Sequence, residues 1–315
     1  MKIGYPCINN SIPHTSPSTF RLASYSESKL VQTVKDNLVH LDKILRYNVR
    51  NNLLFFRISS DLVPFASHPI CKLNWCMLFK SEFEQIGDYI KQHDIRISMH
   101  PDQFVILNSP NNEVLTNSIN ELRYHCKILD AMRLDTTAKV QIHVGGVYGN
   151  KIEAIERFVK TYNDRRLIDD IIKGRLVIEN DDHLFNLMDC LNINKQTGIP
   201  ILFDNFHHEL FCNGEPLRVA LHNAMLTWNK KVDGTPMIDY SSRSNAENKK
   251  DTQIRKVKHA DTISTNSFGK FLKRTEGLDF DVMLEIKGKE KSALKGWKLL
   301  KELATNFAVA SSPVV

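Results

Sequence analysis

A chain of 315 residues, 42% hydrophobic and 25% charged, can bury a sizeable core, either as two domains or as one large α/β barrel. Only 13 Gly and 11 Pro exclude collagenous and low-complexity classes, and no apolar run approaches the ~18 residues of a membrane span. A net charge of +6 permits an anionic partner but falls well short of a dedicated basic DNA-binding arm.

In chain order, short apolar runs alternate with longer helix-like stretches. The start, Met1-Lys2-Ile3-Gly4-Tyr5-Pro6, lacks the apolar stretch of a secretory signal, so an intracellular, cytoplasmic protein is expected. Lys2–Tyr5 is the first predicted strand, followed by a helix over Ser28–Tyr47 with Ser28 as its expected N-cap. Leu53–Ile58 is the second strand, then a helix over Ser81–His93 with Ser81 as its expected cap. Ile95–Met99 and Lys139–Val144 flank a helix over Ser118–Met132, and a helix over Lys151–Tyr162 leads to the fifth strand, Arg175–Ile178. Ile199–Phe203 and Pro236–Tyr240 flank a helix over Glu215–Met225. Asp233–Lys273, polar and basic, reads as strand seven plus a long functional loop. Phe280–Ile286 is the last strand, a helix over Glu290–Leu303 closes the chain, and 304–315 is expected to be a loose tail beyond a single 1–303 domain.

Continuous apolar runs are what parallel strands buried on both faces require. Eight such runs with intervening helices predict an α/β fold, a single (β/α)8 TIM barrel. In that architecture catalytic groups sit at the C-terminal ends of the strands. Strands three to eight finish at His100, His143, Glu179, Asp204, Asp239 and Glu285, and His207 and His208 follow Asp204 closely. Carboxylates converging on one rim repel one another unless a cation balances them. Mixed imidazole and carboxylate donors suit zinc, manganese or iron better than calcium, and there are enough here for two or three ions. Clusters of this kind typically serve phosphoester hydrolysis. No catalytic Ser triad or phosphate-cradling Gly loop is visible. The six cysteines lack paired CxxC spacing and read as reduced thiols, and Trp75, Trp228 and Trp297 read as packing residues. The loop after strand seven offers Lys249, Lys250, Arg255, Lys256 and Lys258 to backbone phosphates.

Several stretches go further. They are Gly4-Tyr5-Pro6-Cys7 with Asn9, Phe56-Arg57-Ile58-Ser59-Ser60, Ser98-Met99-His100-Pro101-Asp102-Gln103-Phe104 and Gln141-Ile142-His143-Val144-Gly145-Gly146. Glu179-Asn180-Asp181-Asp182, Asp204-Asn205-Phe206-His207-His208 and Asp281-Val282-Met283-Leu284-Glu285-Ile286-Lys287 continue the pattern. Together they resemble the UV damage endonuclease family, a relative of endonuclease IV among xylose-isomerase-like TIM barrels. The resemblance implies an endonuclease that nicks DNA 5′ to UV photoproducts, and at abasic sites, leaving a 3′-hydroxyl. It implies His100, His143 and Glu179 on one ion, with Glu179 bridging to a second held by Asp204 and Glu285. His207 and Asp239 correspond to a third site, and His259 to a further ligand. The ion implied first is Mn2+, with Zn2+ or Mg2+ as alternatives.

The resemblance also makes Gln103 and Phe104 a probing pair that fills the gap left by displaced nucleotides. It places Tyr5 and Asn9 against the lesion and His68 near the scissile phosphate, with Lys287 joining Glu179 and His68 as a catalytic candidate. One departure stands out: family members commonly carry Lys where this chain has Met237, so weak binding of the third ion is expected. The implied partner is damaged double-stranded DNA, met at the nucleoid by a monomer with no membrane and no obligate protein partner. An abasic-only enzyme like endonuclease IV, a sugar isomerase on the same barrel and a damage-binding protein with an impaired site are the competing readings.

Overall fold

The computed structural model describes residues 1–13, 17–242 and 259–310, with side chains to residue 303. Lys249, Lys250, Arg255, Lys256 and Lys258, the expected phosphate-binding loop, lie outside the described residues.

Eight strands, β1 (Ile3–Pro6), β2 (Phe55–Ile58), β3 (Arg96–Met99), β4 (Lys139–His143), β5 (Leu176–Glu179), β6 (Ile201–Asp204), β7 (Met237–Tyr240) and β8 (Asp281–Leu284), pair in chain order and close on themselves. All pairings are parallel, and β1 meets β8 through Ile3 opposite Val282 and Gly4 opposite Met283. This is the (β/α)8 barrel expected. Strand residues are buried on both sides because helices cover the outer face and packed side chains fill the inner one.

Alternate residues of a strand share a face, and that parity stacks the barrel interior in layers. Phe55, Val177, Leu202, Met237 and Met283, with Trp228, form a closed apolar cluster inside the barrel. Two residues further along the same strands stand Arg57, Glu179, Asp204, Asp239 and Glu285. A dry apolar floor thus lies directly beneath a charged layer. Met237 belongs to the floor and is fully buried, one layer below the ligand candidates. Gly4 is required in β1, because a Cβ there would come within 2.2 Å of the Phe55 carbonyl oxygen.

Several boundaries differ from those expected. The first long helix, Glu27–Arg50, is capped by Ser26, whose side chain accepts from Lys29 N, so Ser28 lies inside it. Helix Lys80–Gln92 begins at Lys80 after Phe79 with no side-chain cap, so Ser81 is not its cap. Within the stretch read as a long loop, Thr265–Arg274 is helical and buries Phe268, Phe271 and Leu272. A helix over Leu187–Thr197, started by an Asn186–Asp189 capping box, follows β5. The last helix runs from Lys289 to Ala310, so residues 304–310 continue it rather than forming a loose tail. Among the described residues no helix is long and apolar enough to cross a membrane.

Candidate metal centre

The charged layer opens into a cavity of about 900 Å³ at the C-terminal end of the barrel, walled in part by Arg57, His100, Phe104, His143, Glu285 and Lys287. Glu179 is its hub, with only 1% of its side chain exposed. Its Oε2 lies 3.5 Å from His100 Nε2 and 3.9 Å from His143 Nε2. Its Oε1 lies 3.3 Å from His207 Nδ1, which is 3.8 Å from Asp204 Oδ2. One carboxylate therefore serves two separate donor groups, one through each oxygen.

His207 reaches this point because Asp204 ends β6 and caps the short helix Asn205–Leu210, its Oδ1 accepting from His207 N at 2.8 Å. The other oxygen, Oδ2, is buried with no hydrogen-bond partner, as is His143 Nδ1. Leaving a carboxylate oxygen so buried is costly unless a cation meets it. Two imidazoles are also oriented from behind by backbone carbonyls. The Nδ1 of His100 contacts Pro101 O at 2.7 Å and that of His259 contacts Glu285 O at 2.9 Å, whereas His207 Nδ1, the nitrogen that faces Glu179, also lies 2.9 Å from Asn180 O. Metal-ligating histidines are typically fixed in this way.

Ligand atoms of His100, His143 and Glu179 lie within 4.8 Å of one another, as do those of Glu179, Asp204 and His207, and those of Asp204, Asp239 and Glu285. The donor set fits divalent ions. The first expected group is assembled as read. Glu285 is grouped with Asp204 and Asp239, while His207 and Asp239, expected to share a third site, fall into different groups. His259 lines the cavity and its ring stands 6.4 Å from that of His207, outside those groups. His208 turns away, buried against Phe203.

Opposite charges within the cluster offset the cost of burying it. Burial alone would raise the Glu179 carboxyl, but the facing His143, His100 and His207 hold it well below the usual range. Burial pushes Asp204 up to about 7 against the pull of His207. Burial works against a charged His207, yet Asp204 and Glu179 raise it to about 11. Both groups thus have folded values above their unfolded ones. The stability they lend the fold is complete in acid and is lost as pH rises, through about 7 for Asp204 and about 11 for His207. Because ligation requires both to be deprotonated, ion binding at pH 7 should release about one to two protons per chain. Calorimetry in two buffers of different ionisation enthalpy measures this, and release of none would remove His207 from the ligands.

Three features escaped the sequence reading. Arg57 lies in the middle of the layer and donates to Asp239 and Glu285. Gln141 Nε2 donates to Glu179 Oε2 at 2.9 Å and to Asp239 Oδ2 at 2.8 Å. Asn180 exchanges hydrogen bonds with the Asp204 backbone at 3.0 Å. A lone charge inside the apolar run Phe55-Phe56-Arg57-Ile58 was the available signal for the first.

The family model for UV-endonuclease UvdE matches residues 1–313. The chain belongs to this family. A UV DNA damage endonuclease of Clostridium perfringens is 39% identical over 306 residues, covering 96% of this chain and 71% of that protein. One of Bacillus cereus is 34% identical, covering 88% and 84%. The crystal structure of SacUVDE superposes at a TM-score of 0.88 with 42% identity, covering 96% of this chain and 99% of that one. Endonuclease IV from Thermus thermophilus, at a TM-score of 0.52 and 13% identity over 84% and 94%, shares the fold.

For this UV-endonuclease family member, the remaining expected residues separate clearly. Phe104 is 74% exposed on the cavity rim beside Gln103. Lys287 lines the cavity and pairs with Asp261 at 2.6 Å. His68 is not in this cavity but in an adjoining one of about 620 Å³, which shares Asp102 and Phe104 with it. Tyr5 and Asn9, expected against the lesion, are both buried. Tyr5 is fully buried against Phe56, its hydroxyl donating to Asn48 Oδ1 at 2.6 Å and accepting from Asn9 Nδ2 at 2.8 Å. Its side chain alternates to the outer face of β1, toward helix Glu27–Arg50, and Asn9 is buried beside it.

Proposed function

We propose that the protein is a metal-dependent DNA repair endonuclease that nicks the phosphodiester bond 5′ to UV photoproducts and at abasic sites, leaving a 3′-hydroxyl. One observation carries the reading: in a chain of the UV-endonuclease family, Glu179 offers each of its oxygens to a different donor group beneath an open cavity. His100, His143, Glu179, Asp204, His207 and Glu285 would hold two or three divalent ions, manganese being the ion the family resemblance implies and one compatible with this donor mix. Bound there, such ions supply a nucleophilic hydroxide at neutral pH and neutralise charge on phosphoryl oxygens. The protein's own groups do the rest. Gln141 fixes the Glu179 carboxylate, Lys287 and His68 would grip a phosphate and its neighbour, and Gln103 and Phe104 would face the duplex. We take the enzyme to act inside the cell, at the nucleoid, as a monomer.

An irradiated plasmid and an abasic duplex, each incubated with and without manganese, test the proposal. Nicking of both, dependent on the ion, is expected. Cutting of the abasic duplex alone would favour the narrower enzyme, and binding without cutting the damage-binding reading. Because Phe104 is so exposed, Phe104→Ala should leave the thermal midpoint unchanged yet cost roughly 1–3 kcal/mol of binding to damaged duplex through lost stacking. Equal losses on duplex and single strands, measured by fluorescence anisotropy, would remove it from the helix gap.

A further inference from the structure

We propose that Tyr124 and Ser60 are positioning residues of this site: together they clamp the turn after β2 so that His68 stays in register with His100. The inference rests on the reading above that His68 meets a phosphate and His100 an ion. Tyr124 lies on the helix Asn112–Ala131, buried with its ring against Trp75. Its hydroxyl spans the short turn Ser60–Leu62, donating to Ser60 O at 2.7 Å and accepting from Val63 N at 2.9 Å. Ser60 directs its side chain away from that turn and donates to the His100 carbonyl oxygen at 2.9 Å. His125, next to Tyr124 and fully buried, stands behind the Ser60 hydroxyl with Nε2 2.9 Å from it.

From Val63 the chain reaches His68 through a series of tight turns. Ala66 N donates to Val63 O at 3.3 Å, and Phe65 takes the left-handed region at φ 60, bending the chain so that His68 N donates to Phe65 O at 2.9 Å. Ile70 N donates to His68 Nδ1 at 3.1 Å, which leaves the proton of the neutral ring on Nε2. A clamp on Ser60 and Val63 is therefore relayed to His68 on one side and, through one hydrogen bond, to the backbone of His100 on the other. Packing alone does not ask for these groups. Phenylalanine would fill the place of Tyr124 against Trp75, and a buried hydroxyl is costly unless it finds partners. Its partners here lie in the segment that leads from Arg57, in the wall of one cavity, to His68, in the wall of the other. Misplacing a reacting group by about 1 Å costs on the order of a hundredfold in rate, so a loosened clamp should show in kcat.

Nicking of an irradiated plasmid by the full-length protein with added manganese tests this through a double-mutant cycle. Tyr124→Phe removes only the hydroxyl and should lower kcat about ten- to a hundredfold, with KM within about twofold of wild type. In a His68→Ala background the same substitution should cost no more than about threefold, because the group it positions is already gone. NMR spectra of isotope-labelled histidine side chains, recorded without added metal, give a second readout. Tyr124→Phe should move the His68 and His100 signals and leave that of His222, on the helix Leu217–Met225, in place. Thr227→Val deletes a hydroxyl that accepts from Ile201 N and donates to Ala224 O, and should keep full activity. Additive losses in the cycle, unmoved His68 and His100 signals, an equal loss in Thr227→Val, or a folded Tyr124→Phe within about twofold of wild type in kcat would each overturn the inference. If Tyr124→Phe does not fold, Ser60→Ala takes its place in the cycle. A fully active His68→Ala would instead overturn the placement of His68 at the phosphate, a distinct failure.

Discussion

Replacing Glu179 with Gln lowers the nicking rate by at least about a thousandfold, roughly 4 kcal/mol of barrier, while binding of damaged duplex stays within a few-fold of wild type. The side chain keeps its shape, and its oxygen can still accept from Gln141 in the buried position that Glu179 now occupies. What disappears is the charge shared between the His100–His143 side and the His207–Asp204 side. His207 also loses one of the two carboxylates that hold its proton, so its titration moves down from about 11. Plasmid nicking, duplex affinity and an NMR titration of the histidines read the three effects independently. A mutant within about threefold of wild type in rate, less than 1 kcal/mol, would take Glu179 out of the mechanism.

Lys139→Met destabilises the fold by about 3–5 kcal/mol without touching the centre. Lys139 enters the barrel from the start of β4, fully buried, its ammonium donating to Asp233 Oδ1 at 2.5 Å and to Gly174 O at 2.9 Å. The Trp228 ring stands 6.0 Å away, closing the floor from below. Methionine fills the space but leaves Asp233 buried with only the Asn229 amide as a partner to its other oxygen. The cost comes from that abandoned charge, so adding Asp233→Asn should restore more than half of it. Urea denaturation of the two single variants and the double variant measures the coupling. Additive losses would show that Lys139 and Asp233 act separately.

All eight strands were legible because parallel barrel strands must be apolar on both faces, and runs such as Ile95–Met99 have no other reading of comparable economy. The strand-end candidates His100, His143, Glu179, Asp204, Asp239 and Glu285 were legible for a related reason: each closes an apolar run at the barrel's C-terminal rim. Helix Leu187–Thr197 was missed because its polar Asp189, Asn192, Asn194, Lys195 and Gln196 dilute the apolar stripe. Helix Thr265–Arg274 was obscured by the basic stretch before it, although Phe268, Phe271 and Leu272 already had helical spacing. The face Tyr5 takes was not legible because a strand end has two faces, and only its contact with Asn48 of the first long helix shows which one it takes. The role of Arg57 depends on groups from β4, β7 and β8 meeting β2 across the barrel, which no local pattern encodes.

The corner after β6 carries an evolutionary consequence. Asp204 and His207 are the N-cap and third residue of one helix, so the hydrogen bond that starts the helix also sets the distance between the two donors. Their alignment is inherited from helix initiation and owes nothing to the long loops around the rim. Inserting or deleting a single residue between Asp204 and His207 would rotate the imidazole by about 100° around the helix axis and out of the cavity. Lineages of this fold are therefore free to remodel the loops that meet the polymer, while this four-residue corner stays closed to changes in length.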